Sequence, residues 1–365
     1  MNMKQNNAST TDMPIAERLF QMFQQNLKSI FDAMDKGIQS FKWSDNPDLT
    51  IDNRVFYPMD FTLYFARHVF GPRLLSSDTM EGDMPALLHL FGNYRRTKTI
   101  YTIDQTLFQH LVDAKWPSGI PMEAAALPKN GCVLDLPPHE IFGIGNFQIM
   151  DWVQIFCTYD MNHEKGGLDI VLMPIGFSID GNGRWKLALS KEMTIFINMG
   201  AQNLEEAILD YSISLRNEMN YEMEKKIISQ DWVRYLKTIL SVLLYINGND
   251  DLLELVPPRA ERPMNKAKRR RLAKQQTGLP QGLSHPPTRF LVGSKFASII
   301  QRWEERERAE SIGSGRSSRP HLRAAHAHLY RIGKGRTGQK VRFLPPIPVK
   351  GWEAPEEEPT SRLVK

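Results

Sequence analysis

Hydrophobic spacing divides the chain into a helical start, a strand-rich middle and a second helical stretch. From Ile15 to Ile38, residues Leu19, Phe20, Phe23, Leu27, Ile30, Phe31 and Met34 recur at helical spacing on one broad face. That pattern predicts an amphipathic helix packed on something else. Pro58 opens a second helical pattern, MDFTLYFARHVF, and Asp83 to Tyr94 gives a third around Leu87, Leu88, Leu90 and Phe91. Beyond Trp116-Pro117 the character changes, with Pro121, Pro128, Pro137 and Pro138 punctuating short β-prone runs. Strands are predicted at Cys132 to Leu134, Met150 to Tyr159, Leu168 to Phe177 and Arg184 to Leu189. Gly166-Gly167 and Gly181-Asn182-Gly183 supply turns, so the middle reads as an antiparallel sheet. Helical spacing returns from Leu204 to about Ile228 and from Trp232 to Ile246. The latter is apolar on most sides, which predicts burial.

Pro257-Pro258 closes that stretch, and the Pro/Lys/Arg/Gln-rich run from Arg259 to Pro287 reads as a linker or arm. Phe290 to Glu310 starts as a strand and continues as a charged helix through Ile299, Ile300 and Trp303, before a Ser/Gly link. The predicted fold class is α+β: a helical N-terminal region, a central antiparallel sheet with packed helices, and a basic C-terminal module with a β-hairpin. The expected divisions are a flexible N-terminus over 1–12, a polypeptide-binding body over 13–256, and a basic arm over 257–288. A basic His/Arg-rich module over 289–352 and an acidic flexible tail over 353–365 complete the chain.

Composition narrows the class. With 365 residues and 41% apolar side chains, the chain can bury a proper core in one large or two ordinary domains. The longest apolar run, Ile239 to Ile246, is far short of the roughly 20 residues a bilayer span needs, so no membrane partner is expected. The first twenty residues lack an apolar export segment, and two cysteines, Cys132 and Cys157, fit a reducing compartment. The expected location is the cytoplasm.

Charge changes the picture most. Residues 259–350 hold 22 Lys/Arg against 5 Glu and no Asp, a net of +17, while the remainder is −12. An acidic body therefore carries a basic C-terminal third, the polarity of a protein that grips a polypeptide with one part and meets nucleic acid or a ribosomal surface with the other.

The densest chemistry lies between Arg319 and Gly351, which holds three of the nine histidines and no carboxylate. Unpaired cations at that density are too costly to bury, so the segment reads as a surface for an anionic partner, most simply RNA or a ribonucleoprotein. If Ala324 to Ile332 is a strand, His326, His328 and Tyr330 share a face, and Arg331 lies off it. Arg319, His321, Arg323, His326, His328, Tyr330, Arg331 and Arg342 are the candidate RNA- or ribosome-binding residues, joined by the arm residues Lys268, Arg269, Arg270 and Arg271. Metal ligation is disfavoured, because no Cys, Asp or Glu lies between Glu310 and Glu353. Metal-independent RNA cleavage by the histidine pair is the rival reading, although nothing local orients an imidazole. A DNA-binding plasmid maintenance protein is a third.

The loop GKGRTGQK at 333–340 is a basic hairpin turn rather than a phosphate loop: Gln339 stands where the lysine is needed, and a strand follows. Gly143 and Gly145 lack the third glycine of a dinucleotide fingerprint. Cys132 and Cys157 read as small buried hydrophobes, and Asp104, Asp135 and Glu140 form no recognisable acid/base pair. No cofactor or catalytic constellation is expected, which favours a non-enzymatic protein.

Arg319-Pro320-His321, Arg323, His326, His328 and Tyr330, followed by a glycine-bearing turn, Val341-Arg342 and a proline run, resemble the C-terminal signature of a type V-A anti-CRISPR family, the second-numbered one. GNYRRTKTIYTID at 92–104 and LPKNGCVLD at 127–135 are similar to its other segments, in the same order. The resemblance implies a plasmid- or prophage-borne inhibitor that recognises the nascent N-terminus of the type V-A effector nuclease, or of another host protein, and brings down its mRNA, with or without a recruited host ribonuclease. Ala324 and Ala327 depart from the signature, standing for an arginine and a tryptophan; the expectation is one phosphate donor and one stacking surface fewer, and a weaker RNA-directed step or one carried by the arm.

Overall fold

The computed structural model describes residues 28–38, 56–70, 84–112, 114–139, 152–162, 167–179, 185–189, 194–218, 224–249, 252–257, 287–298, 300, 321–323, 326–336, 338–344 and 347–349. The helices of eight residues or more among the described residues are α1 (28–37), α2 (Met59–Phe70), α3 (Met84–Thr97), α4 (Gln105–Val112), α5 (Leu204–Glu218) and α6 (Glu224–Gly248), and a shorter helical stretch over 294–298 follows the last strand of the central sheet. The strands are β1 (Thr99–Ile103), β2 (Cys132–Leu136), β3 (Trp152–Asn162), β4 (Gly167–Ile179), β5 (Trp185–Leu189), β6 (Ile195–Asn198), β7 (Glu254–Val256), β8 (Thr288–Val292), β9 (His321–Arg323), β10 (His326–Ile332), β11 (Gly338–Leu344) and β12 (Ile347–Val349). Expected features at 1–12, 15–27 and 353–365, and the arm residues Lys268, Arg269, Arg270 and Arg271, lie outside the described residues.

The fold is α+β around a sheet in the order β5-β4-β3-β2-β1-β8-β7, with β6 also pairing β4. The sheet is mixed rather than antiparallel as expected, because β1 runs parallel to both β2 and β8. A parallel pair needs a long crossover, and α4 with the 3-10 turns Met122–Ala125 and Pro128–Asn130 provides it between β1 and β2. β4 is long enough to serve two partners on one edge, β6 over 169–172 and β5 over 175–179. Pro174 falls in the gap between them, where a residue without an N–H is tolerated.

Period-two alternation sorts the strand side chains into two cores. Ile100, Val133, Phe156, Val171 and Met173 face α1, α2 and α3, whereas Tyr101, Leu134, Ile155, Cys157 and Leu172 face α4, α5 and α6. Both faces are thus covered, a three-layer arrangement. Cys132 and Cys157 stand opposite each other in the β2–β3 register as free, buried thiols. Helix α6 runs unbroken from Glu224, earlier than the expected start at Trp232, and is buried over most of its C-terminal half.

β8 joins the sheet beside β1, with Thr288 N donating to Lys98 O (2.8 Å) and Asp104 N donating to Val292 O (2.9 Å) at its two ends. The segment expected to begin a separate C-terminal module at 289 therefore opens with a strand of the central sheet.

Candidate nucleic-acid interface

The basic segment folds as an antiparallel ribbon. Register pairs His326 with Leu344, His328 with Arg342 and Tyr330 with Lys340, and β9 and β12 carry the same register onward through Arg323↔Ile347 and His321↔Val349. The turn is the glycine-bearing 3-10 stretch Lys334–Arg336, with Gly333 and Gly335 at φ 83° and 75°. A left-handed backbone at both positions suits glycine and closes a hairpin, in line with the reading of this loop as a turn.

Alternation gives the ribbon an inner and an outer face. Ala327, Val341 and Phe343 are buried on the inner face, where Phe343 packs on Tyr245 of α6 (ring centroids 6.2 Å apart). Trp116 Nε1 donates to Ser241 Oγ of α6 (2.9 Å), which seats the neighbouring Lys115 beside the helix, and Ala327 N donates to Lys115 O (3.1 Å). Gly248 ends α6 against β11 so closely that a Cβ there would lie 2.3 Å from the Val341 carbonyl oxygen.

The outer register positions are His326, His328, Tyr330, Lys340 and Arg342. His328 is exposed, and its ring meets the Tyr330 ring edge-on at 4.5 Å. Arg342 Nε donates to Gly248 O (3.3 Å), placing a guanidinium at the carbonyl end of α6 where the helix dipole favours a cation. Arg331 is exposed but pairs with Gln339 on the other side of the pleat. His321 and Arg323 occupy ribbon register positions, and Arg319 lies outside the described residues. The arrangement can offer cations and two stackable rings to a phosphate-bearing strand. Among the described residues no carboxylate bonds His328, so nothing holds its imidazole as a general base would be held.

Two sequence readings change. Lys340 belongs with the histidines, a membership that only the pairing register reveals. Ala327 does not belong there: it is 4% exposed and faces the body, so a tryptophan at this place would pack inward rather than stack on RNA. Ala324 lies outside the described residues.

The other motifs are joints of the fold. Arg95 (side chain 4% exposed) donates to Asp35 Oδ2 (2.6 Å) and Asp32 Oδ1 (3.2 Å), and Tyr57 bonds Asp35, so α3 holds α1 and the entry to α2. Arg96 lies over the Tyr57 ring at 4.0 Å, and Asn93 Nδ2 donates to Tyr57 O (3.0 Å). Burial raises the Tyr57 phenol far above its usual range and lowers buried His89 to about 4. Gly131 leaves 3.2 Å for a Cβ against Thr97, joining the 92–104 and 127–135 segments in space.

A search of curated proteins finds no match. Among solved structures, one described as the crystal structure of AcrVA2 matches with TM-score 0.51 at 17% identity, over 91% of this chain and 98% of its own, a likeness of fold. The family model described as AcrVA2-like, anti-CRISPR type V subtype A2, matches residues 101–351, reaching the whole basic ribbon but starting after the GNYRRT segment. The chain therefore belongs to the type V subtype A2 anti-CRISPR family.

Proposed function

We propose that this anti-CRISPR protein recognises a nascent polypeptide, the N-terminus of a type V-A effector or another host protein, with its acidic body, and that its basic ribbon contacts the mRNA or the ribosome to cause translation-dependent loss of the transcript. The observation that carries the RNA-facing half is the outer face of β10–β11. It gathers His326, His328, Tyr330, Lys340 and Arg342 in one register on a ribbon clamped to α6. Backbone contacts of this kind supply affinity without sequence choice, which suits a protein that takes its specificity from a translated peptide.

Exchange of both His326 and His328 for alanine abolishes transcript loss in cells while leaving binding of the target peptide intact; survival of both activities rejects the assignment. The shared face of the histidine pair also keeps a direct ribonuclease in view. Purified protein that degrades RNA with a bell-shaped pH profile, lost in His326→Ala, would replace the contact reading with cleavage.

A further inference from the structure

A second site lies in the body, at the carboxyl ends of the three parallel strands β2, β1 and β8. There a crevice of about 420 Å³ opens between Asp104, Asp135, the Leu136-Pro137-Pro138 run and Leu291. Crevices outside the carboxyl ends of parallel strands are where open α/β sheets bind ligands, and clefts of roughly 300–1,000 Å³ take small molecules or a few side chains.

Its polar groups are unbalanced. Among the described residues Asp135 takes hydrogen bonds from two neutral donors, Gln154 Nε2 (2.9 Å) and Thr102 Oγ1 (3.1 Å). Asp104 uses Oδ1 to cap α4 through Thr106 N (2.8 Å) and Leu107 N (3.3 Å). Ser294 at the rim spends its hydroxyl on Glu254 Oε2 (2.9 Å). The nearest strand cation on this strip, Arg289, donates Nε to Thr102 Oγ1 (2.9 Å). Among the described residues neither Asp104 nor Asp135 has an ion pair. Gln154, fully buried and bonded to Asp135, keeps an amide oxygen with no partner among the described residues. The lining of the crevice thus carries two carboxylates and no Lys, Arg or His, beside an apolar wall.

We infer that this crevice binds a basic side chain of a polypeptide, an arginine or lysine whose aliphatic stem lies on Leu136, Pro137 and Pro138 and whose N–H groups meet Asp135 and Asp104. Snorkelling side chains have that two-part chemistry, and charge-assisted bonds from a guanidinium or ammonium supply the cation that the lining lacks. The crevice gives the polypeptide-binding body of the proposed function a location and a chemistry, and it rests on that reading.

The test is fluorescence anisotropy on the full chain with a fluorescein-labelled peptide of about 30 residues from the N-terminus of a type V-A effector, and with the same peptide carrying Gln for every Lys and Arg. Asp135→Asn keeps the shape and offers a donor to the Gln154 oxygen, and Ser294→Lys brings a competing cation to the rim. Either variant, and the Gln peptide, should weaken binding about 10-fold or more, with unchanged affinity in the His326/His328 double variant. Tight binding that ignores both body variants overturns the crevice while the proposed function stands. Should the effector peptide not bind at all, that function fails, and NMR titration with N-acetyl-arginyl-arginine methylamide decides the crevice alone. Shifts at Thr102 and Asp135 with the arginine probe, absent with its glutamine counterpart, support it; no shift overturns it.

Discussion

Gly248→Ala tests the seat of the ribbon. Gly248 is the last residue of α6, so alanine there should favour the helix by up to about 1 kcal/mol if packing were indifferent. Packing is not indifferent: the new Cβ would lie 2.3 Å from the Val341 carbonyl oxygen and 3.2 Å from the Arg342 Cα. Ordinary C···O contacts begin near 3.3 Å, so β11 must retreat by about 1 Å. Overpacking of that kind costs about 1–3 kcal/mol. If β11 lifts far enough to uncover Phe343, roughly 1.5–3 kcal/mol of apolar burial goes too. The net expectation is a loss of about 2–4 kcal/mol in urea unfolding. Amide exchange locates it, because the Ala327 N–H bonded to Lys115 O should lose protection together with the β10–β11 ladder while the central sheet keeps its own. A variant as stable as the parent, with Ala327 still protected, refutes the packing on which the interface depends.

Breaking the buried Arg95 cluster with Arg95→Leu leaves Asp35 with only Arg96 (3.4 Å) and the Tyr57 hydroxyl and should cost about 2–3 kcal/mol by thermal or urea unfolding; a cost under 1 kcal/mol contradicts the joint described for α1, α2 and α3. On the ribbon, Lys340→Ala should weaken binding to a single-stranded RNA and reduce its salt dependence by about one counterion, whereas Arg331→Ala, on the other side of the pleat, should do less in a filter-binding assay; the reverse order contradicts the outer-face assignment. Two buried groups set opposing pH slopes. Burial pushes Asp160 up to about 6, so between about pH 4 and 6 the folded chain holds a proton the unfolded chain has lost, and stability falls as pH rises. Burial lowers His89 to about 4, so over about pH 4 to 6.5 the unfolded chain holds the extra proton and stability rises with pH. Each is worth about 3 kcal/mol and they nearly offset; Asp160→Asn should expose the His89 slope as a gain of about 3 kcal/mol from pH 4 to 6.5, and a pH profile parallel to the parent's excludes it.

Where the sequence was legible, the deciding physics was local. Pro58 and the spacing of the next twelve residues mark α2, and the two glycines around Lys334 mark the hairpin turn. β1 was not legible as a strand: TIYTI is short, covered on both faces, and its partner β8 lies far along the chain with no local trace of the pairing. The same long-range pairing turned an expected antiparallel sheet into a mixed one. The parallel β1–β2 pairing brought Asp104 and Asp135, unrelated by spacing, to one crevice through the register Thr102↔Asp135. At the ribbon, period two placed His326, His328 and Tyr330 together from sequence alone. Lys340 needed the cross-strand register, and the inward turn of Ala327 needed the body beneath it.

In the proposed function peptide recognition, and not the transcript itself, triggers silencing. In bacteria expressing this protein, the mRNA for a reporter fused to a type V-A effector N-terminus should be followed with its start codon intact and with it removed. Transcript loss is expected only when the N-terminal peptide is translated. Equal loss in both cases contradicts it in favour of direct action on RNA.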